Sequence, residues 1–203
     1  MWAYVTDNTI QEIIRFPKSM VIDNVRHPRA IFTAWSWTEL NNIGIYTVEP
    51  GTKGDDRFEI TSSPTYAFDS SNKKVTTTYT KTDKALADSN AVDEDGNNLL
   101  DEDGNQIINY GLKTTWINIT KQRANDLLSK SDWEITRKSE KGTAIASATT
   151  TFRDKVRTAC DTIETAIKNA SNMTQFKALF DTPVDKDGNV TGNPPIHDFP
   201  EET

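Results

Sequence analysis

Strand-like alternation of apolar and polar positions dominates residues 1–82, whereas after Gly111 apolar residues recur at spacings of three and four. Trp2-Ala-Tyr-Val-Thr6 and Thr9-Ile-Gln-Glu-Ile-Ile-Arg-Phe16 flank Asp7-Asn8, a pair that tolerates positive φ, which predicts an N-terminal hairpin ended by Pro17. Ser36-Trp-Thr-Glu39 has capping-box spacing and predicts a short helix through Leu40, stopping near Gly44, with a strand over residues 45–48. Beyond the turn-rich stretch 50–56, residues 57–61, 66–68 and 75–80 read as strands, and the threonines at 76–78 favour a half-exposed, mostly antiparallel sheet.

The helical half opens with Leu112 to Leu128, where Leu112, Trp116, Ile119, Ala124, Leu127 and Leu128 form a modest stripe. A cleaner pattern runs from Thr149 to Asn169. Phe152, Val156, Ala159, Ile163, Ala166 and Ala170 follow helical periodicity, with Arg153, Asp154, Arg157, Asp161 and Glu164 off the stripe. Residues 173–180 predict a third, short helix. Residues 131–145, aromatic and basic, read as a connector between the two long helices.

Between the two halves the composition turns acidic: Asp88, Asp93, Glu94, Asp95, Asp101, Glu102 and Asp103 follow Lys84 with no intervening base. The segment contains Asp93-Glu-Asp-Gly-Asn97 and Asp101-Glu-Asp-Gly-Asn105, and a cousin recurs as Asp185-Lys-Asp-Gly-Asn189. Asp-Gly and Gly-Asn are turn signals, so one reading is a set of exposed hairpin tips. The other is calcium: with Gly96 as the loop glycine, Asp93, Asp95, Asn97 and Glu102 fall on ligand positions, but Ala91 stands where the first Asp belongs. The expected organisation is α+β. A β-rich module at 1–82 precedes an acidic linker or insert at 83–110, a helical docking module at 111–182 and a Pro/Gly/Asp-rich tail at 183–203.

A mean hydropathy of -0.64 with 35% hydrophobic residues is low for a single compact globule and points to burial against a partner. The net charge of -7 disfavours nucleic acid, because neutralising phosphates needs a basic face. No run approaches the ~20 apolar residues of a membrane span, and the first residues lack a signal-peptide pattern, so a soluble protein folding in the cytoplasm is expected. Cys160, the single cysteine, falls in a helical pattern and reads as a small apolar residue.

Neither of the two histidines, His27 and His197, has the spacing of a metal site or a catalytic relay, and the nine glycines form no phosphate loop. No catalytic residue, cofactor or metal is assigned, and the chain is read as not an enzyme. The notable content is aromatic. Trp116, Leu127, Leu128, Trp133, Phe152, Val156 and Ile163 are the candidate partner-binding residues, and truncating Trp133 or Phe152 is expected to cost about 3–5 kcal/mol if buried.

The second half resembles proteins found near the tail fibres of tailed bacteriophages, including tail-fibre assembly proteins of marine phages. Leu127-Leu-Ser-Lys-Ser-Asp-Trp133, Glu134-Ile-Thr-Arg-Lys138, Gly142-Thr-Ala-Ile145 and Phe152-Arg-Asp-Lys-Val-Arg157 carry the likeness. Met1-Trp-Ala-Tyr-Val5, Gln11-Glu-Ile-Ile14, His27-Pro28 and Ile43-Gly-Ile-Tyr46 resemble the β module that accompanies it. The resemblance implies a non-enzymatic tail-module protein, structural or fibre-attaching, located in the virion tail after assembly in the host cytoplasm. Its partners would be other tail or tail-fibre proteins, with a homo-oligomer possible and no nucleic acid or membrane involved. An assembly chaperone that stays in the cytoplasm, absent from the mature virion, is the alternative, and a receptor- or glycan-binding module is a second.

Overall fold

The computed structural model describes residues 1–201, so Glu202 and Thr203, at the end of the expected tail, lie outside it. The fold is α+β, with strands in the first part of the chain and helices in the second. It divides into two compact units, Met1–Thr82 and Asp83–Thr203.

In the first unit, β1 (Trp2–Thr6) and β2 (Thr9–Ile14) form the hairpin that Asp7-Asn8 predicts, with both turn residues at positive φ, 51° and 61°. The same dipeptide at Asp23-Asn24, with φ of 49° and 64°, closes a second hairpin between β3 (Met20–Ile22) and β4 (Val25–His27). Three-residue strands are too short to register as alternation. Two short helices follow, α1 (Ile31–Ala34) and α2 (Trp37–Asn42). Ser36 caps α2: its Oγ accepts from the Glu39 N–H at 3.3 Å, and the Glu39 carboxylate accepts from the Ser36 N–H at 2.7 Å. Gly44 sits at φ +77°, and a Cβ there would lie 2.6 Å from the Val5 carbonyl oxygen.

β5 (Ile45–Glu49), β6 (Glu59–Thr61), β7 (Thr65–Asp69), β8 (Lys74–Thr78) and β9 (Lys81–Asp83) complete the strands of this part of the chain. The main sheet has the order β2-β1-β5-β8-β7, antiparallel except for the parallel pair β5 and β8. Alternation puts Trp2 and Tyr4 on the side of Ile14, Ile31, Phe32, Leu40 and Ile45, and Ala3 and Val5 with Val48 and Val75 on the other. Both faces therefore carry a core.

The second unit begins with a stem, β10 (Ser89–Asn90) paired with β11 (Ile108–Asn109), which carries the acidic segment. Four helices follow: α3 (Leu112–Ser129), α4 (Asp132–Lys141), α5 (Ser147–Asn169) and α6 (Met173–Ala178). Gly111, the N-cap of α3, has no side chain to offer; the Ala85 and Leu86 carbonyls accept the Leu112 and Lys113 N–H groups, and Asp88 fastens the start of the helix to the stem. Its Oδ1 accepts the Gly111 N–H at 2.7 Å and its Oδ2 the Thr114 hydroxyl at 2.8 Å. A Cβ on Gly111 would fall 2.4 Å from the Ala87 carbonyl, so glycine is what lets the stem approach.

Three expectations for this unit are corrected. Of the expected stripe, Val156, Ile163 and Ala170 are buried, but Phe152, Ala159 and Ala166 are only half-buried, and Arg153, Cys160 and Ile167 are buried on α5 instead. Ala159 and Ala166 bury too little area to steer the helix, and Val, Ile and Cys at spacings of four, three and four win the seam with α3. Residues 131–145 are not a plain connector, because α4 occupies most of them and Gly142, at φ 68°, ends it. The tail does not simply extend away. Ile196 is 3% exposed and its N–H donates to the Leu179 carbonyl at 2.9 Å, while Phe199 packs on the cluster of Ala124, Leu127, Val156 and Cys160.

The acidic segment is a compact knob. Leu99 N–H donates to Ala91 O, Ile107 N–H to Leu99 O and Ala91 N–H to Ile107 O, all at 2.8–2.9 Å, closing a three-cornered ring whose successive corners are eight positions apart. The Gln106 side-chain amide lies within 2.8–3.1 Å of all three corner carbonyls. A segment so cross-bonded is not the flexible acid-rich loop its composition suggests.

Candidate interaction site

The seven candidate residues divide by burial. Leu127, Val156 and Ile163 are core residues of the helical unit and are not available to a partner. Leu128 and Phe152 are half-buried against the same cluster, and Trp116 stacks edge-on against Phe180 with ring centroids 4.7 Å apart. Trp133 alone among them is exposed, at 58%, so its truncation removes surface and not core.

Polar anchors, and not an apolar face, hold the helix that presents Trp133: the one buried residue of α4 is Glu134, 9% exposed. Its carboxylate accepts the Ala146 N–H at 3.2 Å and the Thr149 hydroxyl at 2.9 Å, so an anion from α4 sits at the N-terminus of α5. The second anchor runs the other way. Arg153, 8% exposed on α5, donates through one guanidinium nitrogen to the Leu128 carbonyl and the Ser131 hydroxyl, both at 2.7 Å, and lies 2.9 Å from the Asp132 carboxylate. A cation thereby meets the carbonyl end of α3. These two charges join α3, α4 and α5 at one corner.

On this corner the Arg137 guanidinium lies over the Trp133 ring, 4.6 Å from its centroid. That stacking holds the indole as a platform with one face covered and polar edges around it. Lys141, one turn further on, extends the basic character, and Ile135 is exposed nearby on the same helix. An exposed tryptophan on a pinned helix suits protein recognition, since aromatic anchors carry a large share of interface energy. Sequence periodicity had no means of finding Glu134 and Arg153, because a buried charge off the apolar stripe looks identical to a solvated one.

The acidic loops resolve as hydrogen-bonded turns. In each, the first aspartate's Oδ1 accepts two N–H groups of its own loop: at Asp93 from Asp95 and Asn97, at Asp101 from Asp103 and Asn105, at Asp185 from Asp187 and Asn189, all at 2.8–3.0 Å. Gly96, Gly104 and Gly188 hold the positive φ that the turn needs. Hydrogen bonds from the paired asparagine hold the carboxyls of Asp93, Asp101 and Asp185 below the usual aspartate range. Among the described residues, no group of three or more His, Cys, Asp and Glu is placed to hold a metal ion, Asp93, Asp95 and Glu102 included.

Cys160 is buried and unpaired, with its thiol pushed up by burial and by Glu164, which disfavours the reactive thiolate. The returning tail leaves a cleft of about 420 Å³ against α3, lined by Trp116, Arg123 and His197 among others. Among the described residues, no helix is long and apolar enough to cross a membrane. No family model matches the chain, and neither curated proteins nor solved structures yield a significant match.

Proposed function

We propose that the protein is a non-enzymatic component of a bacteriophage tail, structural or fibre-attaching, that works through protein–protein contacts made by its helical unit. The observation that carries the reading is the Trp133 platform: an exposed indole, stacked by Arg137, on a helix fixed by two buried charges. The motifs that resemble tail-fibre-associated proteins, from Leu127 to Arg157, span this same corner. A surface that rigid loses little conformational freedom on docking.

Mass spectrometry of purified particles tests the proposal. The protein should be present, and Trp133→Ala should deplete it from particles while the isolated variant keeps its helical circular dichroism. Presence in lysate with absence from particles would overturn a virion role and leave the assembly chaperone as the reading.

A further inference from the structure

The groove along α3 and α5 is filled by a stretch of chain that enters it as a peptide ligand would. Pro194–Phe199 holds one short 3-10 turn, Pro195–His197, and docks through side chains. Ile196 is buried, Phe199 packs on Ala124, Leu127, Val156 and Cys160, and His197 stands edge-on to Trp116 and Phe180. The Ile196 N–H anchors the backbone on the Leu179 carbonyl. Two successive prolines lead in, and their fixed φ leaves less freedom to lose on docking. A proline-led segment with spaced apolar anchors is a form in which grooves recognise peptides.

Between α6 and this segment lie residues 181–193, every one of them exposed. Inside that stretch, residues 184–190 form a loop whose ends meet, because the Thr191 N–H donates to the Pro183 carbonyl at 2.9 Å. Val184 pairs with Val190 across it, and the Asn189 amide donates to the Asp185 carboxylate. The loop therefore adds nothing to the path from α6 to the groove; it is slack. Opened, its seven residues would lengthen the tether by roughly 23 Å. A segment docked by its own side chains, on an exposed tether with slack, fits the same groove on another copy as well as its own. We infer that this groove is a peptide-docking site and that a second copy of the chain fills it, two copies exchanging Pro194–Phe199 tail for tail while the 184–190 loops open to give the reach. The exchanged contacts are the ones already made within one chain, so no new complementary surface is required, and the pair is two-fold symmetric. Concentration sets the balance. A short flexible tether holds its own segment at an effective concentration of about a millimolar, so a dilute chain closes on itself and exchange takes over as the protein is crowded to that range.

Sedimentation of the equilibrated full chain, from roughly ten micromolar to about two millimolar, brackets that value. The wild type should be monomeric at the dilute end and dimeric at the other. Ile196→Asp with Phe199→Asp should stay monomeric throughout, with circular dichroism checking that the helices are kept. That undocked variant should bind a labelled synthetic peptide of residues 193–200, at least tenfold more tightly than the wild type, whose groove is already filled. Val184→Cys with Val190→Cys closes the slack reversibly: the oxidised chain should remain monomeric and the reduced one dimerise. A wild type that is monomeric at every concentration overturns the inference, as do dimers that survive loss of both anchors, dimers indifferent to the loop disulfide, or an undocked variant that ignores the peptide. Trp133→Ala should leave the dimer unchanged, so these outcomes are independent of whether the protein belongs to a phage particle.

Discussion

Replacing Arg153 by methionine removes the guanidinium while keeping an unbranched chain in its place, and so measures what the buried charge does for the helical unit. Three contacts are lost: the Leu128 carbonyl and Ser131 hydroxyl, both at 2.7 Å, and the Asp132 carboxylate at 2.9 Å. Hydrogen bonds from a charged donor contribute about 1.5–3 kcal/mol each. Asp132 adds at most about 1 kcal/mol, because its side chain is more than half exposed. Against these stands the desolvation of the guanidinium, several kcal/mol, made worse by a buried Nε with no partner. The Leu128 carbonyl also keeps two other donors, the Ser131 N–H and hydroxyl, both at 3.1 Å, so methionine leaves it satisfied.

The net expectation is a loss of about 1–2 kcal/mol for Arg153→Met. Arg153→Lys should lie between, because an ammonium keeps the charge and can donate to the same acceptors but is more strongly hydrated and so costs more to bury. Urea unfolding followed at 222 nm reads this, since the long helices all lie in Asp83–Thr203. Asp132→Asn serves as the control and should move stability by less than about 1 kcal/mol. If Arg153→Met falls within about 0.5 kcal/mol of wild type, the residue behaves as a solvated surface group and the corner is not held as described.

Gly44→Ala should destabilise the first unit by at least about 1–2 kcal/mol, from the positive φ alone and before the close approach to the Val5 carbonyl is counted, as thermal unfolding would show. Asp88→Ala should cost about 1 kcal/mol by removing its hydrogen bonds to the Gly111 N–H and the Thr114 hydroxyl, whereas replacing residues 91–107 with a two-residue Asn-Gly turn should leave the helical signal intact. The carboxyls of Asp93 and Asp101 are depressed in the fold, so their contribution is fully present above the unfolded value near 3.8. It is lost as pH falls through the lower folded value. Amide exchange at Asn97 and Asn105 should therefore accelerate only below that range, and acceleration between pH ~6 and ~5 would refute the assignment. Cys160 should resist thiol reagents at neutral pH until the chain is unfolded, and prompt labelling of the native protein would contradict its burial.

What could be read from the chain follows from how local each determinant is. The Asp7-Asn8 hairpin and the Ser36 capping box rest on interactions within four residues, and the course of α3 and α5 on helical periodicity, so neighbours in sequence carry that information directly. The sheet order does not. Parallel pairing of β5 with β8 depends on a crossover through residues 50–73, and no local pattern records it. The same reasoning explains the site. Trp133 could be singled out as a rare residue beside a helix boundary, but whether it faces core or solvent is decided by Glu134 reaching Thr149 and Arg153 reaching Leu128, contacts across 15 and 25 residues. Those two charges sit where an amphipathic pattern expects water, so hydropathy assigns them to the surface and leaves the burial of Trp133 open. The knob inverts the error. Its acids mark it as solvated linker, yet its order comes from backbone amides and Gln106, groups to which composition is blind. In both places polar atoms took over the structural role that apolar periodicity is built to detect, and in both the displaced apolar side chains were left on the surface. Trp133 and Ile135 on α4, and Val92, Leu99 and Leu100 on the knob, are therefore exposed because polar groups fixed the backbone that carries them.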